Sequence, residues 1–196
     1  MRKLAILISL VAAAGLTLIA AAALADRGNG GGNNNKFSAQ VNGYNEIVGG
    51  PGATSIGSVS TIAHGSFRAR LRDNGTRLEW TLDYSGIEGG TVTQSHPHFA
   101  QQHVGGGVFG FFCGGPKPPC PQNGPVTGNW TAADVIGPAD QGVAAGQFDE
   151  FVRALRAGAV YVNVHSTAFP EGEIRGQIKR GHGHGNDGPG KGRKRR

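Results

Sequence analysis

The sequence predicts an all-β domain, an immunoglobulin-like or Greek-key β-sandwich or barrel with one short helix. Three observations predict it. Apolar residues alternate with polar ones in several short segments, the period of a strand with one buried face. Clusters of Gly, Pro and Asn separate those segments, and the 35 glycines among 196 residues follow no strict period that would make the chain collagen-like. A single segment, 148–158, carries the helical period instead.

The first element is not part of the domain. Arg2 and Lys3 precede an uncharged, largely apolar run from Leu4 to Leu24, and Ala23-Leu24-Ala25 fits a signal-peptidase site. Residues 1–25 therefore read as a signal peptide cleaved after Ala25, with a retained membrane anchor as the alternative. Residues 26–35, DRGNGGGNNN, form a linker with nothing to bury. The domain follows over residues 36–179.

Phe37, Ala39 and Val41 alternate in the first strand. Phe67, Ala69 and Leu71 then lead into Asp73-Asn74-Gly75, and Leu78, Trp80, Leu82 and Tyr84 lead out, so a hairpin is predicted at the Asn-Gly step. Residues 96–146 hold most of the irregular sequence, with Val108–Phe112 reading as a buried strand. Long loops on a β-scaffold are where function usually sits. Phe148, Phe151, Val152 and Leu155 recur at helical spacing before Gly158. Val160, Val162 and Val164 turn to a core, while Tyr161, Asn163 and His165 are expected on an open face. Phe169-Pro170-Glu171-Gly172 supplies turn chemistry, and Ile174, Gly176 and Ile178 resume the alternation.

Charge excludes one function class. The net +6 comes from the ends: residues 36–178 hold nine Lys/Arg against eleven Asp/Glu, whereas 179–196 hold seven against one. A nucleic-acid-binding domain carries its cations on a structured face, so no specific nucleic-acid partner is expected. Residues 180–196 read as a basic, Gly/His-rich disordered tail, with contact to an anionic surface as the alternative. Cys113 and Cys120 close the short loop CGGPKPPC, and in an oxidising compartment such a pair forms a disulfide. Their spacing is wider than that of a zinc pair.

These segments, in this order, resemble the CHRD domain, the chordin-type repeat unit of secreted proteins. The resemblance opens at Phe37-Ser-Ala-Gln-Val-Asn-Gly-Tyr-Asn-Glu46 and runs through the Gly65–Leu71 and Leu78–Leu82 arms. It includes His96-Pro97-His98 and closes on Tyr161-Val-Asn-Val-His165 and Glu171-Gly-Glu-Ile-Arg-Gly-Gln177. Ser-His-Pro-His-Phe stands where the family usually has Ala-His-Ile-His before Gly. The resemblance implies an immunoglobulin-like or Greek-key β-sandwich and no established catalysis. An exported binding or interaction module is expected, secreted or periplasmic, its partner an extracellular or cell-envelope protein.

The competing expectation is chemical. His96 and His98 at i, i+2 share a strand face, and His165 lies on the polar face of another strand. Three imidazoles from two strands suit copper or zinc, with His103 as a further candidate ligand. The pattern is similar in outline to copper–zinc superoxide dismutases, which also use His-x-His on a Greek-key barrel, but the acidic residue of a zinc subsite is missing. The bland alternative is that these rings hydrogen-bond a loop against the sheet. Glu173 and Arg175, also i, i+2, are expected to form a structural ion pair. No catalytic residue is assigned, because no nucleophile with a matched base can be read from the chain.

Overall fold

The computed structural model describes residues 35–49 and 57–181. The expected signal peptide, most of the expected linker and all but the first residues of the expected tail lie outside them. Nine strands and one α-helix are present among the described residues: β1 (Lys36–Asn42), β2 (His64–Arg72), β3 (Arg77–Ser85), β4 (Val92–Phe99), β5 (Gly107–Val108), β6 (Val126–Trp130), α1 (Phe148–Ala157), β7 (Val160–Ser166), β8 (Ile174–Gln177) and β9 (Lys179–Arg180).

The strands form one antiparallel sheet, ordered β5-β4-β7-β8-β1-β2-β3-β6, with β9 beside β1. It curls around a single core. Phe37, Val41, Phe67 and Leu82 on one side of that core meet Val160, Val162, Val164 and Ile174 on the other. Alternation places them there, because every second side chain of each strand points inward. The predicted hairpin is present, Arg72 facing Arg77, with Asn74 at φ 56° in the turn.

Val108–Phe112 departs from the expected strand. Only Gly107–Val108 pairs regularly, opposite Phe99 and His98. The chain then continues beside β4 by isolated bonds, Phe109 N–H to Pro97 O at 2.9 Å and Phe112 N–H to Ser95 O at 2.8 Å. Glycine at 110 leaves room for the backbone at Asp134 and the Trp130 ring, whose close approach a Cβ would block. The Trp130 indole N–H donates to Phe111 O at 3.2 Å. This segment therefore spans from the β4 edge towards the β6 edge, and Phe112 packs on Phe67, Trp80 and Trp130.

Helix α1 forms where the periodicity places it. Phe148, Phe151, Val152 and Leu155 are buried, and the Phe151 ring meets Phe109 and Trp130. Gly158 ends the helix in the left-handed region at φ 71°, its N–H returning to Ala154 O and Leu155 O. Chain direction then reverses into β7, the most enclosed strand of the sheet.

Candidate functional site

The site lies on the outer face of β4, β7 and β8. Register builds it: His96 faces Asn163, which faces Arg175, while His98 faces Tyr161, which faces Gln177. His165 enters from the next row of β7, opposite Gln94. This face was expected to be open, and it is not. All seven residues of β7 are buried. Two loops cover the polar row, since Ala100–Gly106 packs over His98 and Arg175, and Gly43–Gly49 with the 169–173 turn packs over Asn163 and His165. Short-range alternation identifies which residues share a face, but it carries no information about a roof supplied from distant sequence.

Three of the four candidate histidines come together. One ligand nitrogen from each of His96, His98 and His165 lies within 4.8 Å of the others. The His96 ring centroid is 4.5 Å from that of His98 and 4.3 Å from that of His165. His103 does not join them. It is an exposed loop residue at φ 64° and lies beside Gln102 and Arg175 at a separate cavity.

Backbone carbonyls orient two of the rings. His98 Nδ1 is 2.7 Å from Gly106 O, and His165 Nδ1 is 2.9 Å from Pro170 O. A carbonyl only accepts, so each Nδ1 carries the proton of a neutral ring and each Nε2 a lone pair. Burial keeps the rings neutral, pushing His98 and His165 down to about 4 and His96 to about 2. His96 Nδ1 is buried with no hydrogen-bond partner among the described residues.

Asn163 sits between the lone pairs. Its Oδ1 is 3.1 Å from His98 Nε2 and 2.9 Å from His165 Nε2. Lone pair against carbonyl oxygen is repulsive, whereas a half-turn of the amide would donate one N–H to each ring. A cation between the rings would relieve the same repulsion. Beside Asn163 lies Glu46, buried and pushed up to about 7, chiefly by loss of solvation, with Oε2 unpartnered. Neither Asn163 nor Glu46 was singled out from sequence as a site residue. Asn163 could have been found from its place two residues before His165; Glu46 arrives from a loop, and its place at the end of the resemblance's opening segment was its one signal.

The expected Glu173–Arg175 pair does not form. Glu173 accepts from Thr61 Oγ1 at 2.8 Å, Glu88 N–H at 2.8 Å and Gly89 N–H at 3.0 Å. These donors hold its carboxyl below its ordinary range despite burial. Arg175 instead lies 3.4 Å over the Tyr161 ring and donates from Nη2 to Gln101 O and Val104 O. The two side chains use separate sets of partners, Glu173 the backbone of the 88–89 loop and Arg175 that of the 100–106 loop. Tyr161 is thus stacked by Arg175 and by His98, the latter at 4.6 Å and 4°. Cys113 and Cys120 are joined as expected, and Cys113 O accepts from Ser95 N–H beside His96.

The imidazole set can do two things chemically. Left as it is, it is a buried hydrogen-bonding cluster with surplus lone pairs. With an ion, it is a three-nitrogen donor set in which two rings, His98 and His165, have their outer N–H groups already fixed by carbonyls, the usual arrangement around a metal-bound histidine. A family model for the CHRD domain matches residues 37–178. No curated protein and no solved structure matches the chain.

Proposed function

The chain belongs to the CHRD-domain family, and from that premise we propose that it is an exported binding or interaction module without catalysis, working outside the cytoplasm on an extracellular or cell-envelope partner. Family membership supports the module. The observation that carries a binding role is the roofed outer face, where loops leave a cavity of about 320 Å³ over β1 and β8, within the range of ligand sites. The signal-like leader and the Cys113–Cys120 disulfide support export, since disulfides persist in oxidising compartments. Intact-mass measurement on protein recovered outside the cytoplasm should give a chain beginning at Asp26. A chain retained in the cytoplasm with residues 1–25 attached would overturn export.

One observation favours a second reading, a copper or zinc site on His96, His98 and His165. Neutral imidazoles suit these ions, and the unpartnered His96 Nδ1 is a buried lone pair or N–H awaiting a use. Nitrogens on a trigonal ion at bonds of about 2.1 Å lie about 3.6 Å apart, so rings spread up to 4.8 Å must rotate inward. Bound zinc would supply Lewis acidity, and bound copper one-electron chemistry. Titration with Cu(II) or Zn(II) after removal of the tail bearing His182 and His184 should then show one site, lost in His98→Ala and in His165→Ala. Equal uptake by both variants would refute it.

A further inference from the structure

The cavity over β1 and β8 has a lining that specifies a chemical class of ligand. Its two full charges are both positive, from Arg175 and Lys179, and none of its nine lining residues is Asp or Glu. The rest of its polar lining is dominated by carboxamides: Gln40 of β1, Asn45 just after it, Gln102 of the covering loop and Gln177 of β8. Amides donate and accept side by side, which suits vicinal hydroxyl groups, whereas two cations suit a carboxylate.

Arg175 is set in advance for this role. Its stacking on Tyr161 and its two bonds from Nη2 fix the guanidinium plane. All its hydrogen bonds to the described residues leave from that one nitrogen, so Nε and Nη1 remain for another acceptor. Lys179 pairs through its backbone with Ser38 and keeps its side chain exposed at the rim. A fixed guanidinium on the floor and a free ammonium at the rim form a two-point clamp for an oxyanion. We propose that this cavity binds an acidic sugar, its carboxylate held by Arg175 and Lys179 and its hydroxyls by Gln40, Asn45 and Gln102. This deepens the binding-module reading, on which it rests, by naming the ligand class. The source would be a uronic acid or the end of an acidic polysaccharide.

Calorimetric titration of the purified full chain with D-glucuronate tests it, with D-glucose and inorganic phosphate as comparison ligands. Glucuronate should bind one-to-one, and glucose at least about ten-fold more weakly because it lacks the charge-assisted bonds. Lys179→Ala should weaken glucuronate by about the same factor, and Gln40→Ala should weaken it while leaving phosphate unaffected. Arg153→Ala, an exposed position on helix α1 that does not line the cavity, should change nothing. Absent glucuronate binding, phosphate binding as tight as glucuronate, or full affinity in Lys179→Ala would each overturn the proposal. Failure here in a chain that is still exported condemns the ligand class alone. Glucuronate binding by a chain found unexported supports the cavity and removes export.

Discussion

Glu173 shows how much can depend on one side chain. It is fully buried, and two backbone N–H groups and one hydroxyl end on its two oxygens. Removing the carboxylate strands all three donors, so Glu173→Ala should cost about 3 kcal/mol or more in urea unfolding. A loss below about 1 kcal/mol would mean water replaces the carboxylate, which its enclosure argues against. Sequence showed Glu173 as a charge two residues from Arg175 and no more. Which partner a buried carboxylate finds is decided by loops 84 to 112 residues away, and local spacing cannot encode that. The histidines were more legible. Strand period put His96 and His98 on one face, and register brought His165 to them, because β4 and β7 pair directly.

At the scale of elements, β1, β2, β3, β7, β8 and helix α1 were readable because each has a clean period and clear punctuation, whereas β6 lies inside the stretch read as irregular. The Val108–Phe112 segment, of which only Val108 pairs regularly, was misread because a continuous apolar run fits a ladder strand and a tethered loop equally well. What distinguishes them is Gly110 and the disulfide. Cys113–Cys120 holds Phe112 and Cys113 against Ser95 of β4. Opening a loop this short should cost about 2.5 kcal/mol on the chain-entropy model. The Cys113→Ala/Cys120→Ala variant should therefore melt at a lower temperature, and amide exchange at Ser95 and Phe112 should accelerate more than in β2 or β3. Uniform acceleration across the sheet would show that the crosslink acts on the unfolded chain alone.

For the whole molecule, the buried titratable groups sum to an acid response with a defined sign. His96, His98 and His165 are neutral in the fold and titrate at an ordinary 6.5 when unfolded, so between 6.5 and about 4 the unfolded chain binds more protons. Glu46 opposes them, because its carboxyl binds a proton in the fold from about 7 downward against 4.5 unfolded. Three groups outweigh one. Stability present above pH 6.5 should fall as pH drops toward 4, with a lower urea midpoint at pH 5 than at pH 7.5, and Glu46→Gln should steepen the fall. A midpoint that holds or rises on acidification would contradict neutral buried imidazoles. The sheet order has another consequence, one of timing. β1 has β2 on one side, yet its other neighbours are β8 and β9, with Asn42 opposite Arg175 and Ser38 opposite Lys179. During synthesis the earliest strand therefore waits with one edge unpaired until nearly the last residues of the domain emerge. Late closure of that kind leaves the cavity over β1 and β8 unfinished until almost the whole domain has been made.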